Sequence, residues 1–166
     1  MEEGTSGGEG KAAPDGGGVI KLTWEQFGRE IAVFADAIRE RYSPELVVGV
    51  ARGGVIIGAA IASRLEVDFF PIKISRRVMR EVASEEPVLI IKPYSYAEGK
   101  RVLLVDDVYT TGQTMLIARR ALELYHPSEI RTCTYACRKG ASSPPDFRHL
   151  EAVDTVAFPW DYHLLK

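Results

Sequence analysis

The chain has 166 residues, with 21 basic against 23 acidic side chains and a formal charge of −2. That length suits one domain with a core of ordinary size, and a near-neutral balance leaves no long-range field for gathering nucleic acid or an anionic membrane surface. Any anionic ligand must therefore be held by local groups.

Residues 1–18 are glycine-rich with scattered charge and no apolar periodicity, so they are expected to form a disordered tail ahead of a domain over 19–166. They lack the basic start, apolar stretch and small-residue cleavage site of a secretory signal. Thr23 followed by Gln26 has the pattern of a capping box, and Phe27, Ile31, Phe34, Ile38 and Tyr42 recur at helical spacing, so a helix is expected to run to about Ser43-Pro44. Leu46 to Val50 reads as a buried strand, Gly53 and Gly54 as a turn, and Ile56 to Leu65 as a small-residue helix. Arg52 and the paired glycines at the centre of the most apolar stretch, Val47 to Leu65, argue against a membrane span.

Val67 to Ile74 is predicted as the next strand, followed by a polar stretch from Ser75 to Glu86 and a short strand at Val88 to Lys92. Arg101 to Val105 is an apolar β-type run ending at Asp106-Asp107, after which Met115, Ala118, Leu122 and Tyr125 repeat at helical spacing. Ile130 to Ala136 is a further strand, and the chain beyond it reads as irregular until Val153 to Phe158. Strands alternating with helices predict an α/β fold, a doubly wound and mainly parallel sheet whose ligand sits at the carboxyl ends of the strands. Cys133 and Cys137 stand on one face of a strand roughly 13 Å apart, too far to bridge. With no metal-ligand cluster of His and Cys, the cysteines suit a reducing cytoplasm.

Two loops at strand ends carry chemistry. In Val102-Leu-Leu-Val-Asp-Asp-Val-Tyr-Thr-Thr-Gly-Gln-Thr114, the residues Thr110, Thr111, Gly112, Gln113 and Thr114 stand where a strand becomes a helix. Free amides, the positive end of the helix dipole and three hydroxyls meet there and suit a phosphate. A lysine in the Walker position is missing, which excludes a nucleotide-hydrolysing P-loop. Asp106 and Asp107 would repel a bare phosphate, so a second feature is needed. Vicinal ribose hydroxyls and a hard cation such as Mg²⁺ both fit. In Ala51-Arg52-Gly53-Gly54 the glycines allow close approach and Arg52 offers a planar fork of donors, which suits a pyrophosphate. Alternatives remain at each place: a threonine-capped helix after a strand, and a turn with a solvated arginine.

The first string closely resembles the phosphoribosyl pyrophosphate motif of the type I phosphoribosyltransferases, whose fold matches the element order above. The resemblance implies that Asp106 and Asp107 hold the ribose hydroxyls, with Asp107 nearer the magnesium. It implies that Thr110 to Thr114 bind the 5-phosphate, and that Arg52, Gly53 and Gly54 grip the pyrophosphate. The stretch with Arg76, Arg77 and Arg80 lies where that family has a flexible closing loop. The C-terminal Val156-Ala-Phe-Pro-Trp-Asp161 is similar to the hood of bacterial and archaeal hypoxanthine, xanthine and guanine phosphoribosyltransferases, which nominates Phe158 and Trp160 as base contacts, although both also suit the core.

Two departures from those purine enzymes stand out. Threonine occupies position 110, where they usually carry a proton-exchanging aspartate. Their base-side lysine is also absent from the strand ending Tyr135-Ala-Cys137, with Arg138 or Lys139 as substitutes. The implied activity is transfer between 5-phosphoribosyl-1-pyrophosphate and a nucleobase, a purine by the hood, with Mg²⁺ and without a covalent nucleophile. Ser95, His126 and His149 carry no role in it. The turn Thr110-Thr111-Gly112 looks more like that of orotate phosphoribosyltransferases and competence-type members, which leaves transfer to a different base as an alternative. A regulatory protein that senses the donor without turnover is the second reading, a sugar-phosphate-binding domain of another kind the third. A homodimer, common in the family, is the expected assembly.

Overall fold

The computed structural model describes residues 11–12, 18–75, 77–78, 81–82, 88–91 and 94–165, with side chains described for 18–74 and 96–165. In chain order the elements are β1 (Lys11–Ala12), β2 (Val19–Lys21), α1 (Trp24–Arg41), β3 (Leu46–Val50), α2 (Gly53–Leu65) and β4 (Asp68–Ser75). Then come β5 (Arg77–Val78), β6 (Glu81–Val82), β7 (Val88–Ile91), a 3₁₀ turn at Tyr94–Ala97 and β8 (Arg101–Tyr109). The chain ends with α3 (Gln113–Glu123), β9 (Glu129–Arg138), β10 (Phe147–Ala152) and β11 (Thr155–Ala157).

The capping box closes as expected. Gln26 N donates to Thr23 Oγ1 at 3.1 Å and Thr23 N donates to Gln26 Oε1 at 2.9 Å, so two of the helix's orphan amides are satisfied by side chains. Phe27, Ile31, Phe34 and Ile38 then bury one stripe of α1.

Seven strands form one sheet in the order β1-β10-β9-β8-β3-β4-β7, parallel throughout except for the antiparallel edge pair β4–β7. The doubly wound arrangement is the one expected. Helices α1 and α2 cover one face over Val47, Leu103, Val105, Cys133 and Tyr135, while α3 covers the other over Leu46, Val48 and Leu104. From β3 the chain moves outward to β4, whereas β8 returns to the opposite side of β3. The crevice between β3 and β8 is thus the topological switch point, where open α/β sheets take their ligands.

Several expectations need correction. Strand β8 continues through both aspartates to Tyr109, because its parallel partner β9 runs on in register to Cys137. Gly53 and Gly54 belong to the first turn of α2 and make no separate turn. The stretch read as irregular holds β10, whose polar residues Arg148, His149 and Glu151 suit a strand near the sheet edge more than an apolar core strand. Within the tail, Lys11–Ala12 pairs with Leu150–Glu151 of β10 through main-chain groups, which composition cannot register. In the polar stretch after β4, Arg77–Val78 and Glu81–Val82 pair as a small antiparallel ladder. Arg76, Arg80 and the side chain of Arg77 lie outside the described residues.

β2 and β11 form a separate two-stranded parallel pair, Val19 opposite Thr155 and Lys21 opposite Ala157. This pair and the segment to Leu165 form the small hood. Among the described residues no helix is long and apolar enough to cross a membrane.

Candidate functional site

The loops after β3 and β8 leave neighbouring strands at the switch point, and they touch. A Cβ placed on Gly53 would lie 1.8 Å from Asp107 Oδ2, so the carboxylate rests directly on the glycine's α-carbon. A Cβ on Gly54 would lie 2.5 Å from the Val105 carbonyl oxygen, which presses the start of α2 onto the backbone of β8. Both glycines are therefore demanded by close approach. The peptide joining Ala51 to Arg52 is cis, and Ala51 N donates to the Ile72 carbonyl at 2.7 Å.

A cleft of about 560 Å³ opens here, with Arg52, Gly53, Asp106, Asp107, Thr114 and Trp160 on its walls. Arg52 is exposed and the two aspartates are half-buried. Burial holds the Asp106 carboxyl well above the usual carboxylate range, and the neighbouring Asp107 charge pushes it further. Burial also raises Asp107, against a bond donated by Val108 N at 2.7 Å, with Asp161 adding repulsion. Among the described residues neither aspartate has a basic partner, so this is a concentration of negative charge awaiting a cation or hydroxyl donors.

Beside the cleft, Thr110, Thr111, Gly112, Gln113 and Thr114 curl round a cavity of about 30 Å³ that also meets Asp106 and Met115. Gly112 is the N-cap of α3, at a φ of 78° that favours glycine, and it supplies no side-chain cap. The threonines are thus not spent on capping, and Thr110, Thr111, Gln113 and Thr114 are all exposed. The turn is open to solvent, with the first-turn amides of α3 facing the cavity's end of the helix. Tyr109 shapes it: its hydroxyl would meet a Cβ on Gly112 at 2.2 Å, and it donates to the Ser143 carbonyl at 2.5 Å.

A third cavity of about 260 Å³ adjoins the turn, walled by Val108, Thr110, Cys137, Arg138, Asp154 and Thr155 among others. Arg138 is placed in this wall. Lys139 is exposed nearby, its amide donating to the Ala152 carbonyl at 3.0 Å. Phe158 is 1 % exposed and packs in the core between Tyr135 and Trp160, with no ring face left for a ligand. Trp160 is half-buried at the cleft wall and stacks on Phe158 at 4.7 Å between centroids.

Sequence reasoning gave no role to Asp161 and His163 in the large cleft, or to Asp154 and Thr155 in the smaller cavity. The first lay inside a quoted segment, but only the folded hood carries it toward Asp107. A further cleft of about 620 Å³ lies at the opposite end of the sheet, between α3 and the start of β9. Its arginines are already paired, Arg119 with Glu123 at 3.2 Å and Arg131 with Glu129 at 2.6 Å, so it offers an anion little.

A family model described as "Phosphoribosyl transferase domain" matches residues 22–166. The chain belongs to that family. The match takes in both loops and the hood segment after Asp154. A xanthine-guanine phosphoribosyltransferase of Gluconobacter oxydans is 27% identical over 143 residues, 84% of this chain and 83% of that protein. An adenine phosphoribosyltransferase of Mycobacterium tuberculosis is 35% identical over 104 residues, 57% of this chain, and the match spans about half of that relative, 49%. The solved structure of a purine phosphoribosyltransferase from Pyrococcus horikoshii superposes with a TM-score of 0.75 at 30% identity, covering 86% of this chain and 93% of that one. By relationship the chain is an enzyme of the glycosyltransferase type.

Proposed function

We propose that this chain transfers the phosphoribosyl group between 5-phosphoribosyl-1-pyrophosphate and a purine base, hypoxanthine, guanine or xanthine, with Mg²⁺ and release of pyrophosphate. The observation that carries the reading is the meeting of two loops at one switch point, with the acid pair of β8 lying against the two glycines that begin α2. The names of the relatives, xanthine-guanine, adenine and purine phosphoribosyltransferases, support a purine.

The donor's parts map onto separate chemistry. The open turn Thr110–Thr114 supplies amides and hydroxyls for the 5-phosphate, and Arg52 with the amides of Gly53 and Gly54 takes the pyrophosphate. Asp106 and Asp107 accept hydrogen bonds from the ribose hydroxyls. The donor set also fits magnesium: two crowded carboxylates without a basic partner among the described residues, in a cleft wide enough for a polyphosphate whose oxygens complete the shell. Asp107, with Asp106, would hold that ion, which when bound draws charge from the departing pyrophosphate.

Transfer at the anomeric carbon builds positive charge on the ribose ring, and the acid pair lies on the side of the cleft where it stabilises that charge. Arg52 offsets the negative charge growing on the leaving group. The acceptor sits in the 260 Å³ cavity beside Val108 and Thr110, with Arg138 presenting a cation to an exocyclic oxygen of the base. This reading carries with it a cytoplasmic location and a homodimer.

One observation favours the sensor reading. Thr110 lines both the phosphate turn and the acceptor cavity and has no titratable proton to exchange with a base. Incubation with the donor, Mg²⁺ and each of hypoxanthine, guanine, xanthine, adenine, orotate and uracil separates the two. Pyrophosphate release with a purine is the expected result. Tight donor binding with no release for any base gives the sensor, and no binding of the donor overturns both.

A further inference from the structure

Thr134 is fully buried on β9, and its Oγ1 has no hydrogen-bond partner. Burying a hydroxyl unpaired costs free energy that valine, nearly the same shape, would not incur. Thr132, two residues earlier on the same face, shows the contrast: its hydroxyl donates to Asp146 Oδ2 at 2.7 Å and accepts from Asp146 N at 3.0 Å. One threonine is satisfied and the other is not.

Register shows what stands across from it. Thr134 pairs with Asp106 in the parallel ladder between β9 and β8, so the two side chains rise from the same face on strands ~4.8 Å apart. Asp106 Oδ1 accepts from Asp107 N at 2.9 Å, its carboxyl lies within hydrogen-bonding reach of the Asp107 carboxyl, and no neutral or basic side chain donates to it among the described residues. A hydroxyl lacking an acceptor thus stands across the ladder from a carboxylate that receives no hydroxyl.

We infer that Thr134 is a positioning residue for Asp106: when the sugar donor binds, its hydroxyl donates to the Asp106 carboxylate across the ladder and fixes the orientation in which that acid engages the donor. The inference rests on the proposed role of Asp106 toward the donor. Thr134 itself is sealed beneath the strand and touches no substrate. Only the hydroxyl matters to this role, whereas a packing role would rest on the methyl groups.

The two roles predict opposite rank orders for two variants. Thr134→Val keeps the shape and loses the hydroxyl; Thr134→Ser keeps the hydroxyl and leaves a methyl-sized void. Calorimetric titration of each full-length protein with 5-phosphoribosyl-1-pyrophosphate and Mg²⁺, beside thermal unfolding and the KM of each substrate, separates them. The expected result is a loss of about tenfold in donor affinity for T134V with an unchanged or raised Tm and an unchanged acceptor KM, and wild-type donor affinity for T134S. Donor affinity of T134V within twofold of wild type, or T134S weaker than T134V, overturns the inference while the function stands. Failure of the wild type itself to bind the donor overturns the function, and this with it.

Discussion

Alanine at position 53 tests the contact between the two loops without removing a charged group. Its Cβ would fall 1.8 Å from Asp107 Oδ2 and 2.4 Å from Cγ, where an ordinary carbon–oxygen contact needs about 3.2 Å or more. The carboxylate can turn aside by more than about 1 Å, at the expense of the bond from Val108 N, but Asp107 Cβ at 2.7 Å cannot, so β8 and the start of α2 must also part slightly. Stability should fall by about 1–2 kcal/mol, the preference of alanine for the first turn of α2 offsetting part of the overpacking. A displacement of that size at a reacting centre costs on the order of a hundredfold, or about 2.7 kcal/mol. Gly54→Ala is the control, because its Cβ meets the backbone of β8 at 2.5 Å, which cannot rotate away. That variant should lose about 1–3 kcal/mol of stability, or some 2–4 °C in Tm for each kcal/mol. Pyrophosphate release read beside thermal unfolding gives both quantities. A Gly53→Ala enzyme within threefold of wild-type kcat/KM would refute the link between that contact and the donor.

Asp106→Asn should abolish donor use and raise the Tm of the ligand-free protein. A carboxyl whose folded pKa is raised loses stability as pH climbs from the ordinary carboxylate range toward the raised value, so the variant's advantage should be small near pH 4 and larger at pH 8; an advantage that shrinks over that range would contradict the burial argument. Donor with Mg²⁺ at about a hundred times Kd should stabilise the wild type by about 2.7 kcal/mol, and a chelator should remove most of that shift in a thermal melt. Tyr109→Phe should cost about 1 kcal/mol through the lost bond to the Ser143 carbonyl, and should weaken donor and acceptor KM together, because the ring underlies Gly112 while the bond reaches the loop after Arg138.

Much of this arrangement was legible where local chemistry decides structure. The capping box at Thr23 and the helical spacing of α1 are local signals, and the two strand-loop-helix units carry their own turn residues. Strand order is not local: nothing between Val50 and Arg101 says that β8 returns to the far side of β3. Asp106 and Asp107 looked like the end of a strand because acids are rare in buried ladders, yet the neighbouring strand extends the pairing past them. Gly53 and Gly54 looked like a turn, since a sequence shows the missing side chain and not the backbone that fills its place. Phe158 and Trp160 differ by two residues and were equal candidates; only the stacking order of the hood buries one and leaves the other at the cleft. β10 was lost because its outward residues Arg148 and Glu151 pair with each other, so a strand beside the sheet edge read as loop.

The adjacency of the two acids follows from the twofold period of a strand. Successive side chains leave β8 on opposite faces, so Asp107 turns toward α2 and lies on Gly53, while Asp106 turns toward α3 and faces Thr134. A single residue of either type would serve one half of the crevice, and two acids spaced by one residue would crowd onto the same face. Placed side by side at the end of one strand, they start from different faces yet both reach one cleft, where each carboxyl acts on the other. Their mutual repulsion adds to burial in raising the Asp106 carboxyl, and a ligand reaching across the switch point meets both carboxylates. The cost of burying them falls on the free protein, and a bound cation with sugar hydroxyls relieves it, which couples donor binding to stability through the same pair of side chains.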